Sequence, residues 1–161
     1  MRLPLIIAAV VSLAGVVQAQ SADAPPARPP YGAPISWSLA KAVGEAAIAQ
    51  AERRGLKMAV AIVEPNGAMV WFGKMDDAQY GSTDVATKKA MHSAMFRRST
   101  KALADGLAAG NLALLTVGAP GAEGGEPILM AGKVVGAIGV SGGTARQDGE
   151  VAAAAIAASV R

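Results

Sequence analysis

The sequence predicts an α+β domain in which helices pack on an antiparallel sheet. Three observations lead to this prediction. Apolar residues recur at helical spacing in three long segments, β-rich runs lie between these segments, and the turns between paired runs are too short for a parallel connection. The predicted order of elements is α-β-β-α-β-β-β-α.

The first half of the domain supplies one helix and one hairpin. The helix is predicted over residues 36–54, with Ser36 or Ser38 as its N-terminal cap and Gly55 as its stop. The β-rich runs of MAVAIVEPNGAMVWFGKM flank Glu64-Pro65-Asn66-Gly67, where proline and glycine suit a tight turn. These runs predict two antiparallel strands.

The second half begins with a central helix, predicted from Gly81 to about Leu103. A glycine-rich region follows, and its short apolar run at residues 112–117 is a candidate extra strand. The segment PILMAGKVVGAIGVS predicts two strands that turn at Ala131-Gly132-Lys133. A last helix is predicted from Thr144 to Val160, because Thr144 and Gln147 fit the capping-box pattern.

The N-terminal segment has the pattern of an export signal followed by a linker. Residues 1–19 combine a positive start, an apolar run and a small-residue ending, which is typical of a cleavable signal peptide. The apolar run of about fifteen residues is shorter than the ~20 needed to span a bilayer, although an uncleaved anchor is the alternative. Residues 20–34 form a proline-rich linker that we expect to be extended or disordered. The folded domain is predicted over residues 35–161, in the periplasm or outside the cell.

Length, charge and cysteine content exclude several classes of function and binding site. The chain of 161 residues suits one domain. Its net charge is +3 and its basic residues are spread out, so no basic tail or stripe for nucleic acid is predicted. The absence of cysteine excludes disulfides, iron–sulfur clusters and thiolate zinc sites, and suits an oxidising compartment.

Several segments resemble one family. GKVVGAIGVSGGTARQDGEVAAAAI resembles the C-terminal signature of the GlcG/HbpS family of haem-binding-type proteins. GLKMAVAIVEPNGAMVWFGKMDDA is similar to the first hairpin of that family, and STDVATKKAMHSAMFRRST to its central helix. GEPILMAGKVVGAIGVSGG is similar to a later hairpin. The resemblance covers residues 35–160, nearly the whole predicted domain.

The resemblance implies a profilin-like or roadblock-like α/β/α fold that often forms higher oligomers. Some members bind haem, and one secreted member is an accessory haem and redox sensor beside a membrane kinase. The resemblance therefore implies an exported haem-binding protein that carries, buffers or senses haem, forms homo-oligomers and can act beside a membrane sensor. Two alternatives stay open: a non-haem small-ligand or assembly module, and an enzyme-associated protein of small hydroxy-acid or diol metabolism.

The segment KKAMHSAMFRR holds the only histidine, His92. Lys88 and Lys89 precede it by one helical turn, and Met95 and Phe96 follow by one turn, so all five side chains lie on adjoining parts of one face. A haem site needs an axial ligand for the iron, an apolar wall and cations for the propionates. His92 is thus the candidate iron ligand, and its alternative is an ordinary histidine on an amphipathic helix.

Other motifs have weaker interpretations. Thr100 matches a family position that the resemblance links to haem contact, although it could simply end a helix. GVSGGT could hold an anion at a helix N-terminus, or it could be a tight strand-to-helix turn. Nucleophile patterns of hydrolases are absent from the sequence, which makes an enzyme the less expected interpretation.

Overall fold

The computed structural model describes residues 27–160. The predicted signal segment 1–19 and residues 20–26 of the predicted linker lie outside the described residues. The described part forms five helices and four strands. In chain order these are α1 (Trp37–Arg53), β1 (Ala59–Val63), β2 (Met69–Lys74), α2 (Gly81–Phe96), α3 (Thr100–Ala108), α4 (Ala113–Thr116), β3 (Gly125–Met130), β4 (Lys133–Ser141) and α5 (Ala145–Ser159).

The four strands form one antiparallel sheet in the order β2-β1-β4-β3. Each strand alternates its side chains between the two faces. Val60 and Ile62 of β1 join the core formed with α1 and α5 on one face, whereas Ala59 and Ala61 pack with α2 on the other. The predicted fold class is therefore confirmed, with helices on both faces of an antiparallel sheet.

Small residues bring α2 very close to the sheet. The contact between α2 and the sheet is built mainly of alanines, among them Ala86 and Ala90. A Cβ atom at Gly139 of β4 would clash with the carbonyl oxygen of Ala86. The helix backbone thus rests directly on β4, and this contact fixes which side chains of α2 point inward and which face solvent.

The apolar run at residues 112–117 is helical rather than extended. It contains α4, and none of the α4 residues is buried. An isolated short run has no neighbouring strand to bond with, so its backbone N–H groups bond locally, as Leu115 N–H does to the Leu112 oxygen. Gly110 and Gly118 bracket it with positive φ angles of 88° and 66°.

The predicted central helix is divided in two. Helix α2 ends at Phe96, and Arg97 adopts a left-handed conformation with φ 55°. Ser99 then caps α3, since its side chain accepts a hydrogen bond from the Ala102 N–H at 3.3 Å. A strong serine cap four residues before Leu103 therefore starts a new helix where continuous helix was expected.

The end of the predicted linker is attached to the sheet. Gly32 N–H donates to the Val134 oxygen at 2.8 Å, and Val134 N–H donates to the Pro30 oxygen at 2.9 Å. This short extended segment runs parallel to the start of β4, as shown by the bridge between Tyr31 and Val134.

Among residues 27–160, the helices are all too short or too polar to cross a membrane.

Candidate functional site

His92 is partly exposed on α2, and both of its ring nitrogens contact backbone oxygens. Nδ1 lies 3.1 Å from the carbonyl oxygen of Lys88, one turn earlier. Nε2 lies 3.1 Å from the carbonyl oxygen of Val117, just after α4. A neutral imidazole carries one N–H, so in that form only one of these contacts is a hydrogen bond.

The contact of Nδ1 with the Lys88 oxygen lies within α2, between residues four positions apart. The contact of Nε2 with the Val117 oxygen joins α2 to the segment after α4. A neutral ring that donates from Nδ1 to the Lys88 oxygen leaves a lone pair on Nε2, which is the usual arrangement of a metal-ligating histidine. The Val117–Gly118 segment covers that lone pair, and a Cβ atom at Gly118 would lie 3.6 Å from Nε2. A ligand could reach Nε2 only if this exposed segment were displaced.

An apolar cavity of about 320 Å³ adjoins the imidazole ring. The ring of Phe96 stacks on His92 with centroids 5.6 Å apart and an interplanar angle of 12°. A second cavity of about 470 Å³ shares Met95 with the first. The first cavity is lined by Lys88, Met91, His92, Met95, Phe96 and Val117, and the second by Tyr31, Pro65, Asn66 and Met95. The two neighbouring cavities therefore place His92 beside an apolar surface that includes Met95 and Phe96.

The two predicted lysines face different surroundings. Lys88 lines the cavity, and its exposed ammonium group lies 2.7 Å from Asp84. Lys89 points into the protein, where its side chain is 2% exposed and lies 2.7 Å from Asp148. Adjacent helix positions are about 100° apart, so α2 turns one lysine outward and the other inward. Of the predicted group, the structure brings together Lys88, His92, Met95 and Phe96 but not Lys89.

Thr100 is also placed away from the cavity. It is fully buried as the first residue of α3, and its hydroxyl oxygen accepts a hydrogen bond from the Gly125 N–H at 2.9 Å. This bond ties α3 to the start of β3. Thr100 was a candidate for haem contact only through its family position, and its surroundings here agree better with the structural alternative of a residue at a helix boundary.

A bare metal ion has no evident site in the described residues. Nowhere in residues 27–160 do three histidine or acidic side chains converge in a way that could hold a metal ion. His92 would therefore be a solitary protein ligand. Haem iron is compatible with this, because the porphyrin supplies four nitrogens and the protein needs to supply only an axial ligand.

The GVSGGT turn holds a carboxylate that belongs to the chain itself. Asp148 accepts a hydrogen bond from the Gly143 N–H at 2.9 Å, and its other oxygen accepts one from Lys89 Nζ. Thr144 and Gln147 form the predicted capping box beside it. Burial raises the pKa of Asp148, against the opposing effect of Lys89. The GVSGGT turn thus binds a carboxylate of the chain itself. This agrees with the alternative predicted from the sequence, a tight strand-to-helix turn.

Glu126 on the edge strand β3 is a second carboxylate in unusual surroundings. Burial, aided by the negative charge of Glu123, raises the pKa of Glu126 to about 7 from an ordinary value of 4.5. The folded protein therefore keeps Glu126 protonated at pH values where the unfolded chain has already lost that proton. This difference links folding stability to pH.

We expect stability to fall as the pH rises through this window. The contribution of protonated Glu126 is fully present below about pH 4.5 and is lost as the pH passes about 7. Thermal melting between pH 5 and 8 measures the loss, which we expect to be roughly 1–3 kcal/mol. Glu126→Gln should flatten the profile by stabilising the protein above pH 7, whereas the exposed control Glu45→Gln should leave it unchanged. Identical profiles in the two variants would contradict this assignment.

Comparison with known proteins adds family information to this geometry. The HbpS-like family model, described as haem degrading protein HbpS-like, matches residues 35–157. An uncharacterised 15.0 kDa protein from the dhaT–dhaS intergenic region of Citrobacter freundii is 31% identical over 125 residues, covering 72% of this chain and 85% of that protein. Protein GlcG of Escherichia coli K12 is 32% identical over 110 residues, covering 66% and 81%.

Solved structures show the same fold. A crystal structure of a double mutant of HbpS from Streptomyces reticuli has a TM-score of 0.73 and 27% identity, covering 95% of this chain and 98% of that chain. A crystal structure of a PduOC–haem complex has a TM-score of 0.71 and 28% identity, covering 78% and 94%. The PduOC structure was solved with haem bound.

Proposed function

Because the chain belongs to the HbpS-like family, we propose that it binds haem against the α2 face formed by Met91, His92, Met95 and Phe96. One observation carries the proposal. The only histidine of the chain lies on the wall of an apolar cavity, with Nδ1 3.1 Å from the Lys88 carbonyl oxygen and Nε2 3.1 Å from the carbonyl oxygen of the exposed residue Val117. The haem complex of a structural neighbour supports the same ligand class.

The residues of this face fit the chemistry of haem. Methionine and phenylalanine side chains provide an apolar surface for the porphyrin, and a hydrogen bond from Nδ1 to the Lys88 oxygen orients the ring and increases the basicity of Nε2. When bound, haem would supply a redox-active iron. The chain itself would position that iron and limit its contact with water.

The size of the cavity favours reversible binding. Small-molecule pockets typically measure about 300–1,000 Å³, so the cavity of about 320 Å³ is at the lower end of that range. Met95 on its wall is 51% exposed, so a haem placed against it would stay partly exposed. A ligand held partly exposed is more readily transferred than one enclosed in a core. We therefore propose a carrier, buffer or sensor accessory as the role of haem binding.

An absorption titration with hemin tests the proposal. We expect a saturable Soret band with a plateau at one haem per chain, measured against hemin added to buffer. Loss of that band on incubation with both dioxygen and a reductant, with formation of bile-pigment products, would instead indicate the haem degradation named in the family description. A Soret absorbance that rises without saturation would overturn haem binding and favour the non-haem module.

We also propose export and self-assembly. The N-terminal pattern of residues 1–19 supports export, and cell fractionation that leaves the protein in the cytoplasm would contradict it.

For self-assembly, Val151, Ala152 and Ala155 of α5 pack into the core with α1, so a contact between copies would use other surfaces. Light scattering that gives a monomer mass at micromolar concentration would contradict assembly.

A further inference from the structure

The second cavity, of about 470 Å³, adjoins the cavity of His92 through Met95. It lies between three parts of the chain: Tyr31 of the N-terminal segment, Pro65 and Asn66 of the β1–β2 turn, and Met95 near the end of α2. Methionine is unbranched and has three rotatable bonds, so a change of the Met95 rotamer can connect the two cavities. The apolar surface beside His92 therefore continues toward the N-terminal segment.

Tyr31 is held at this second cavity by contacts of its hydroxyl group, its ring and its backbone. The hydroxyl group donates to the carbonyl oxygen of Met95 at 2.7 Å. The guanidinium group of Arg97 lies 5.0 Å from the centroid of the ring, and its Nη1 donates to the Pro29 oxygen at 3.2 Å. The backbone of Tyr31 forms a bridge with Val134 of β4. The ring is thus positioned before a ligand arrives, which lowers the entropic cost of a contact with it.

The Tyr31 ring is 47% exposed although it lines a cavity of the domain. Its hydroxyl group already has the Met95 oxygen as an acceptor, so the ring is the part of this side chain that is available to a ligand. Aromatic rings pack favourably on other flat aromatic systems in offset or edge-to-face arrangements. Tyr31 therefore suits a ligand with an aromatic ring system.

The β1–β2 turn packs against the methionines that line the first cavity. A Cβ atom at Gly67 would lie 3.5 Å from the sulfur of Met95 and 3.6 Å from Met91. Both methionines line the cavity of His92, and the turn itself lines the second cavity through Pro65. The two cavities thus belong to one apolar region that α2, the turn and the N-terminal segment build together.

We infer that Tyr31 is a contact residue for the ligand, and that the ring system lying against Met95 and Phe96 extends past Met95 onto the Tyr31 ring. His92 and Met95 are about 4.5 Å apart along the axis of α2, so a wide macrocycle with its iron at His92 covers Met95 and continues toward the second cavity. This inference rests on the proposed function and narrows the ligand to an extended planar ring system. It also makes residues 29–32 part of the binding site.

Soret titrations with hemin test the contact in three variants. Tyr31→Ala removes the ring and should weaken hemin binding about three- to tenfold, because the ligand loses an aromatic contact. Tyr31→Phe keeps the ring and loses only the hydroxyl group, so we expect a change of less than about twofold.

Tyr80→Ala is the matched control. Tyr80 is the other tyrosine of the chain, is 91% exposed and has the ammonium nitrogen of Lys74 5.4 Å from its ring centroid. It precedes the first turn of α2 and lies about 22 Å from Met95 along the helix axis, so its replacement should leave hemin affinity unchanged.

A measurement on protein that keeps the Tyr31 ring separates contact from a structural role. Protein labelled with fluorotyrosine carries the label at two residues, and the Tyr80→Phe variant assigns their ¹⁹F resonances. Gallium protoporphyrin is a diamagnetic analogue of hemin, and its ring current should shift the Tyr31 resonance at saturation but not the Tyr80 resonance.

Three results would overturn the contact and leave haem binding intact. These are an unmoved Tyr31 resonance at saturation, equal hemin affinity in Tyr31→Ala and Tyr80→Ala, and equal losses in Tyr31→Phe and Tyr31→Ala. Failure of the unaltered protein to bind hemin would instead overturn the proposed function itself.

Discussion

Replacing Asp148 with alanine should lower the free energy of unfolding by about 3–5 kcal/mol, because it leaves the charge of Lys89 buried without its partner. The two side chains are 2% and 4% exposed, and the ammonium nitrogen has only the Val140 oxygen as a further acceptor in the described residues. Urea denaturation at neutral pH measures the loss. The affected contacts join α2 to the end of β4 and the start of α5, so the whole domain should unfold at lower urea concentration.

Asp84→Ala is a matched control for this prediction. It removes the partner of the neighbouring lysine, Lys88, at the same distance of 2.7 Å, but both of these side chains are 64% exposed. Water replaces a lost surface partner, so we expect a loss of less than about 1 kcal/mol. Similar losses in the two variants would show that burial does not determine the strength of the Lys89 contact. The double variant Lys89→Met, Asp148→Leu should recover part of the lost stability, since no unpaired charge stays buried but the Gly143 N–H loses its acceptor.

Replacing His92 with alanine should weaken hemin binding about 100-fold, or by about 2.7 kcal/mol, and shift the Soret band. The reason is the loss of the axial nitrogen, while the apolar wall of Met91, Met95 and Phe96 stays in place. Soret titration and the spectrum at saturation measure the two effects. Added imidazole should restore the spectrum, because the substitution leaves space where the ring was.

Met95→Leu is the control for the histidine variant. It keeps an apolar side chain of similar volume on the cavity wall and should change hemin affinity by less than about threefold. An unchanged Soret band in His92→Ala would remove the histidine from the site. A larger loss in Met95→Leu than in His92→Ala would point to the methionine instead.

Features encoded by residues close in sequence could be predicted. The capping box of Thr144 and Gln147 spans four residues, and the turn at Pro65 and Gly67 joins strands that pair directly. Such contacts form within one segment, so the residue pattern alone indicates them. The antiparallel order of the hairpins, and with it the fold class, follows from these local signals.

Features that depend on distant contacts could not be predicted. Lys89 and Asp148 are 59 residues apart, and their meeting depends on the close approach of α2 to Gly139. From the sequence, Lys88 and Lys89 were equally good candidates for the ligand. Pro29 belonged to a segment predicted to be extended or disordered, and the hydrogen bond that its oxygen accepts from Arg97 forms only when that segment attaches beside α2.

The central claim is that the nitrogen of His92 binds haem iron. The chain contains one histidine, so untagged protein labelled with ¹⁵N-histidine carries the label at that residue alone. Pulsed electron paramagnetic resonance of the ferric haem complex then reports whether a labelled nitrogen is bonded to iron. We predict a strong hyperfine coupling to ¹⁵N that is absent from the His92→Ala complex. A saturated haem complex without that coupling would contradict the claim.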